Sequence, residues 1–346
     1  MHIPDNYLSP QTCGVFGVAM IPVWVHSIRK VARELDRRKI AFIGVAAAFS
    51  FLLMMFNVPL PGGTTGHAVG GTLIAILLGP EAACLAVSVA LALQALIFGD
   101  GGILAFGANC FNMAFVLPFL GYAVYNAIRK HAPESWGDKV GAIVGSYVGI
   151  NVAALCAAIE FGIQPALFHN AAGQALYCPY PLSVSIPAML IPHLLVAGVV
   201  EALATVLIYL FVKNAAPDFI YKPLGKQADA EKKSKLAPVY ILIAILCVAT
   251  PIGLLAGSGE GWLSQFGDAW GEWGAEDLGE MIGYTPAGMG DGFEWTALMP
   301  DYSLEGLPDV AGYILSAIVG VALLIIIFRI IASFKKDKPT EAGQRA

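Results

Sequence analysis

The first two residues of this chain, Met1 and His2, can do chemistry that an internal histidine cannot. A divalent metal held by the Met1 amine and the His2 amide nitrogen closes a five-membered ring. The His2 imidazole then adds Nδ1 through a six-membered ring. Two residues thus supply three nitrogens in one plane and leave a fourth in-plane position open. His67 is the candidate for that position. It closes the stretch "NVPLPGGTTGH", in which Asn57, Pro59, Pro61, Gly62, Gly63 and Gly66 are poor helix formers and Thr64 and Thr65 offer hydroxyls. Such a loop delivers one imidazole to the start of a helix. Planar nitrogen donors suit Ni(II) or Cu(II) and serve an oxygen-seeking ion such as Mg(II) badly. Binding displaces protons, so affinity is expected to fall at acid pH. The bland alternative makes His2 the second residue of a solvated tail. Against it, Ile3, Pro4, Tyr7, Leu8 and Pro10 are the residues of a segment tied down on apolar surface.

The other four histidines carry less. His131 and His169 fall in loops, and His26 and His193 read as satisfied polar groups in a helical bundle. Six cysteines, at 13, 84, 110, 156, 178 and 247, form no CxxC and sit mostly in apolar runs, so they read as small core residues. Around the candidate ligands, Asn57, Thr64, Thr65, Asp100, Asn109 and Asn112 are candidates for orienting the metal-binding loops. Helix-end capping accounts for Asp100 and Asn109 nearly as well.

The elements that must position these groups are membrane helices. Of 346 residues, 57% are hydrophobic and 13% charged, and the mean hydropathy is +0.70, which excludes an ordinary soluble domain. The fold class expected is all-α: a polytopic helical membrane protein of about nine segments, at 11–28, 40–58, 67–79, 81–98, 103–128, 140–162, 184–212, 237–256 and 310–333. The third is short for a crossing of about 20 residues and reads as a half-helix or a tilted, buried one. The first apolar run, Val15 to Ile28, leads into "RKVARELDRRK" rather than a cleavage site, so Met1 is expected to stay on the mature protein. A polar, basic linker at 221–236 divides a seven-span unit, residues 1–220, from a two-span unit, residues 237–346, with a long outer loop at 257–309.

Charge sets the expected orientation. The stretches 29–39, 129–139, 213–236 and 329–346 hold six, three, six and five Lys or Arg, which is all 20 in the chain. The 257–309 loop holds 11 Asp or Glu and no Lys or Arg. The positive-inside rule then places the N-terminus outside and the C-terminus in the cytoplasm. The Trp262, Trp270, Trp273 and Trp295 side chains of that loop are candidates for a lid or for interfacial anchors. No basic face suggests nucleic acid.

Three carboxylates, Glu81, Glu160 and Glu201, fall within predicted spans. They would relay ions in a gradient-driven carrier, with Glu160 or Glu201 as the working group, or else fix helix packing. No G-x-x-x-x-G-K-[ST] phosphate loop occurs, so any ATP hydrolysis through that motif belongs to other proteins. No activated-water arrangement suggests an enzyme.

The stretches "MHIPDNYLSP", "NVPLPGGTTGHAVGGTLIAILLGPEAACLAVSVALALQALIFGDGG" and "LAFGANCFNMAFVLPFLGY" resemble the CbiM/NikM family, the substrate-binding membrane components of energy-coupling-factor transporters for cobalt and nickel. The resemblance implies metal ligation by Met1, His2 and His67, with Ni(II) or Co(II) as transported substrate and no resident cofactor. It further implies a prokaryotic cell membrane location, a transmembrane coupling subunit and two ATPase subunits as partners, and, for a cobalt cargo, a tie to cobalamin biosynthesis. The two-span tail is similar to the accessory component of such systems, through "GDGFEWTALMPDYSLEG" and its likeness to a PDGLE motif followed by Asp-Tyr-Ser. Two positions depart from the pattern: Asn6-Tyr7 replaces the usual Gly-Phe, and Gly290 and Phe293 stand where Pro and Leu are typical, with Gly292 and Glu294 kept.

Overall fold

Ser9 begins the first helix by accepting a hydrogen bond from Thr12 N at 3.1 Å, with Pro10 at the first helical position where its missing N–H costs nothing. Asp36 caps the second in the same way, accepting from Lys39 N at 2.8 Å. The computed structural model describes residues 2–60, 64–133, 136–221, 236–255, 279 and 282–335, without the side chains of residues 58–60, 64, 65 and 255. Its elements run α1 (Pro10–Glu34), α2 (Arg37–Met55), β1 (Val58–Leu60), β2 (Thr64–Gly66), α3 (Gly71–Leu78), α4 (Pro80–Phe98), α5 (Phe106–His131), α6 (Gly137–Leu167), α7 (Leu182–Ala215), α8 (Ala237–Leu254) and α9 (Asp309–Ser333).

Among the described residues, eight helices are long and apolar enough to cross a membrane. The chain is a multi-pass, helical membrane protein. The third predicted segment, 67–79, is helical only over the eight residues of α3, because His67 to Gly70 is non-helical and Gly70 is left-handed at φ 71°. Among the described residues, extended pairing is confined to the β1–β2 hairpin, antiparallel with Pro59 opposite Thr65, and an isolated bridge between His169 and Ala175.

Burial divides the helices by role. α2 and α3 are apolar and buried almost all round, as the centre of a bundle requires. Other helices expose apolar faces: Val15, Val18, Ile21, Val25 and Ile28 on α1, and Ile241, Ile245, Val248 and Ile252 on α8, recur at helical spacing. In water such faces would be unstable, whereas lipid tails accommodate them. The four basic stretches meet at one end of the bundle through contacts between helix ends. Lys30 pairs with Glu81 at 2.7 Å, Arg38 with Asp218 at 3.1 Å, and Asp138 with both Arg129 and Lys213 at 3.0 Å, while Lys335 donates to the Ala32 carbonyl.

The C-terminal unit packs into this bundle through close contact of α9 with α2. Glycines permit it: a Cβ at Gly44 would lie 2.8 Å from Phe328 Cβ, and one at Gly320 would lie 2.3 Å from the Phe51 ring. Backbones approach where a side chain is missing, a common basis for helix association in lipid. Gly320→Leu is therefore expected to force α9 away from α2 and to lower the apparent Tm in detergent by several degrees, in line with an overpacking cost of about 1–3 kcal/mol. Ile318→Leu, at a half-exposed neighbour on the same helix, should leave the Tm unchanged in the same thermal scan.

Candidate metal site

Residues 2–8 cross the end of the bundle opposite the basic stretches, and polar groups hold nearly every step. Asn109 grips Ile3 from both sides: its Oδ1 accepts from Ile3 N at 2.8 Å and its Nδ2 donates to Ile3 O at 3.0 Å. Gly102 N also donates to Ile3 O, at 2.8 Å. Asp5 accepts from Ile103 N at 2.9 Å and Leu104 N at 2.8 Å. A side chain at Gly102 would strike Asp5 N at 2.5 Å, so only glycine lets the two backbones lie this close. Farther on, Tyr7 O accepts from Cys178 N, and Ser9 N donates to Gln164 Oε1 at 3.0 Å. Ile3, Tyr7 and Leu8 are buried, which makes the segment part of the core.

His67 arrives from the other side. The loop after β2 hangs on α7 and α2: Glu201 accepts from Val69 N at 2.8 Å and Gly70 N at 3.0 Å, and Ser50 Oγ donates to Val69 O at 2.7 Å. Left-handed Gly70 then turns the chain into α3 against Leu53 and Phe49. The His67 ring is 3% exposed and directs Nδ1 to the Ala68 carbonyl at 3.3 Å. That contact leaves the basic nitrogen at Nε2, which is buried without a hydrogen-bond partner. Burial, ahead of neighbouring charge, holds the imidazole well below its ordinary pKa, so it is neutral.

The two rings meet at 4.7 Å between centroids, inclined by 42°. His2 also has a buried Nε2 with no partner, and its Nδ1 faces Asp100 Oδ1. An orphaned His67 Nε2 beside the His2 ring in one buried place is what a bound metal ion would satisfy. The chelate expected from the sequence uses His2 Nδ1, the nitrogen that Asp100 holds in this structure, so loading exchanges the Asp100 contact for the cation. Met1 itself lies outside the described residues, as do the Thr64 and Thr65 side chains.

Asp100 is the centre of a small network. Its Oδ2 accepts from the Tyr302 hydroxyl at 2.5 Å and from Gln94 Nε2 at 3.0 Å, and Gln94 Nε2 also donates to the Tyr302 oxygen at 2.8 Å. Burial alone would raise the Asp100 pKa. His2, by charge and hydrogen bond, together with the Tyr302 bond, more than reverses this and holds the carboxyl below the usual range. Burial and then the Asp100 charge push the Tyr302 hydroxyl well above its ordinary value, so it remains a donor. Gln94 opens a π-helical turn, Gln94–Phe98, and a second such turn, Cys110–Val116, follows Asn109. Distortions of this kind cluster at functional sites.

The remaining candidates are placed as follows. Asn57 keeps a buried Oδ1 without a partner, while Asn112 donates to Glu160 at 2.9 Å and engages neither histidine. His193 faces the Met189 carbonyl at 2.7 Å, and His131 faces that of Ala127, also at 2.7 Å. All six cysteines are free thiols. Trp295 donates to the Leu96 carbonyl at 3.1 Å; Trp262, Trp270 and Trp273 lie outside the described residues. Tyr302 and Gln94 were missed from the sequence, and Glu201 was read as an ion relay or a packing group without the loop it holds. The only signal for Tyr302 was the Asp-Tyr-Ser segment of the tail.

The family model described as the cobalt uptake substrate-specific transmembrane region matches residues 2–219. The chain belongs to this cobalt-uptake family. A PDGLE domain matches residues 236–336. Among family relatives, a protein named "Probable fused nickel transport protein LarMN" from Lactiplantibacillus plantarum is 49% identical over 337 residues, covering 95% of this chain and 97% of that protein. The fused nickel transport protein NikMN of Rhodobacter capsulatus is 45% identical, covering 94% and 95%. A crystal structure of a truncated transition metal transporter superposes with a TM-score of 0.60 at 52% identity, over 62% of this chain and 99% of that one.

Glu201→Ala would strip the acceptor from two backbone N–H groups and free the His67 loop. The expected result is roughly 10-fold or greater loss of Ni(II) affinity, as for other groups that orient a metal ligand, measured by calorimetry on the full chain. An affinity equal to wild type would mean that the hairpin and Ser50 suffice.

Proposed function

We propose that the chain captures Ni(II) or Co(II) as the substrate-binding membrane component of an ATP-driven energy-coupling-factor transporter. One observation carries this reading: His2 and His67, 65 residues apart in sequence, stand ring to ring in a buried place where His67 Nε2 has no hydrogen-bond partner. The family membership and the transport names of the relatives agree with it. In the proposed complex the cation takes the Met1 amine, the His2 amide nitrogen, His2 Nδ1 and His67 Nε2 in one plane. The Asn109 and Asp5 bonds position the backbone donors before the ion arrives, so little ordering cost is left to binding. His67 supplies a neutral ligand without giving up a proton.

The bundle end that carries the site is proposed to face outside, and the end where the basic stretches meet to face the cytoplasm. Energy then comes from partner subunits: a coupling subunit in the membrane and ATPases beneath it, because this sequence holds no phosphate loop of its own. The gradient-driven alternative through Glu160 or Glu201 is not favoured. Glu201 is engaged by the Val69 and Gly70 amides, and Glu160 by Asn112, as packing anchors.

The chelate is tested by one extra Gly before Met1, which keeps every side chain and moves only the amine. Calorimetry and visible absorption should show stoichiometric Ni(II) binding by the native start and none by the extended one. Equal binding by both would refute the terminal chelate.

The pH dependence has a definite sign. Below a pH of about 8 the terminal amine carries a proton that the metal must displace, and the amide gives up a second at any pH. The apparent affinity should therefore fall by about 100-fold for each pH unit lowered, one decade per proton. His67, held neutral by burial, adds nothing to that slope near neutrality. Titrations in buffers of different ionisation enthalpy count the protons released; a count near three would add an imidazole ligand to the titrating set.

A further inference from the structure

The seam between α2 and α9 closes on glycine and then opens at the basic end of the bundle. Gly44 brings α2 against Phe328, and Gly320 brings α9 against Phe51 deeper in. One turn beyond Gly44 and Phe328 the facing residues are Ala41 and Ala332, whose side chains are single methyl groups. The two helices part there around a pocket of about 450 Å³, lined by Arg37, Arg38, Ala41, Arg329 and Ala332.

Three arginines converge on one cavity at a cost in mutual repulsion, unless an anion lies among them. The carboxylates nearby are engaged elsewhere. Asp218 pairs with Arg38 at 3.1 Å, and the Arg38 guanidinium lies over the Phe219 ring at 5.0 Å. Asp36 caps α2 through Lys39 N, and Glu34 pairs with Arg33. Among the described residues, Arg37 and Arg329 have no acidic partner. Asp337 and Glu341, in the tail that follows α9, lie outside the described residues.

Arg329 is the one basic residue of α9, and it stands a turn before the helix ends, between Phe328 and Ile330. A charge at that depth needs an anionic partner or a path to the interface. On the same face Ile318, Ala322 and Ile326 are exposed at four-residue spacing, an apolar strip about 12 Å long that leads up to Arg329. A soluble anion would use the pocket alone. A cationic pocket at the end of an apolar strip fits a molecule with a phosphate at one end and a hydrocarbon chain at the other.

We propose that Arg37, Arg38 and Arg329 bind the phosphodiester headgroup of one anionic phospholipid, whose acyl chain lies along the 318–326 strip, and that this lipid bridges α2 and α9. Arginine suits the task because its planar donors reach two phosphate oxygens together. Basic pockets between membrane helices are places where such headgroups lodge. The site lies at the opposite end of the bundle from His2 and His67, so it stands or falls independently of the metal ligands.

The test is native mass spectrometry of the full chain, delipidated in neutral detergent and titrated with phosphatidylglycerol or phosphatidylcholine of the same acyl composition. One phosphatidylglycerol should be retained in preference to phosphatidylcholine, and it should raise the Tm. Arg329→Gln should lower that retention about 5-fold, and Arg37→Gln with Arg329→Gln about 25-fold, one such factor for each charge near a membrane surface. Arg33→Gln removes an equal charge from the same end, outside the pocket, and should leave retention unchanged. Ala41→Leu keeps every charge, fills the pocket and should also expel the lipid, with the lipid-free Tm as the check on folding. Glycerol phosphate and inorganic phosphate should compete poorly, because neither can use the strip. Equal retention of the two lipids, as a carboxylate of the chain's own tail in the pocket would give, overturns the proposal. So does a loss in Arg33→Gln matching that in Arg329→Gln, which would mean a diffuse surface charge, or full competition by glycerol phosphate, which would mean a site for soluble anions.

Discussion

Asn109 spends its whole side-chain amide on the backbone of a single residue, Ile3, and the proposed metal site depends on that bond pair. A chain terminus is the part of a protein most prone to fray, because few contacts offset the entropy of ordering it. A chelate built on the terminus cannot tolerate fraying, since its amine, amide and imidazole must lie in one plane before they are useful together. The bundle meets this need by treating residues 3–8 as core. Ile3, Tyr7 and Leu8 bury their side chains, while Asn109, Asp5, Gln164 and the 101–104 turn satisfy the backbone.

The same logic explains buried charge elsewhere. Glu201 sits inside a helix that crosses the membrane, where an unpaired carboxylate would be costly. It is placed under the Val69 and Gly70 amides, the two donors that an extended loop running into the N-terminus of α3 leaves without helical partners. The loop is thereby stabilised inside the bundle, and His67 comes with it. In the sequence such a carboxylate reads equally as an ion relay or a packing group, and in the fold it acts as a loop anchor.

How much of this was legible in the sequence follows from the range of each signal. Hydropathy and the distribution of Lys and Arg gave the spans and brought the four basic stretches together, because both are local or additive properties of segments. The His2 and His67 pair was legible because a terminal amine makes His2 chemically distinct and the proline- and glycine-rich loop makes His67 locally distinct. Asp100 and Asn109 were visible as polar residues flanking glycines, though not which backbone or ring each would hold. Asn112 had the same look and is bound to Glu160 instead. Tyr302 was marked only as part of the Asp-Tyr-Ser segment, since nothing near residue 302 indicates that it will meet residue 100. The left-handed pair Asp301 and Tyr302 carries no glycine to announce the turn. Asn6 was half legible: its family pattern has glycine there, which a φ of 67° explains, and asparagine is among the side chains that tolerate that region.

The two departures from the family patterns gain a joint meaning from the contact of Asn6 with Phe293. A glycine at position 6 would satisfy the backbone but would leave the Phe293 N–H and carbonyl without the side-chain amide that pairs with them. Asparagine accepts the left-handed conformation at some cost and supplies both a donor and an acceptor, at the place where Gly292 leaves room for it. The junction thus exchanges a little backbone strain for a directional contact between the terminal strap and the C-terminal unit. In a protein whose two units share one chain, the linker ensures only that they stay near each other. Register between them has to come from contacts such as Asn6 with Phe293, Tyr302 with Asp100, and Gly320 under Phe51. Of these, the Tyr302 contact ends on the carboxylate that His2 Nδ1 faces in this structure, so the second unit reaches the edge of the candidate site as well as the fold.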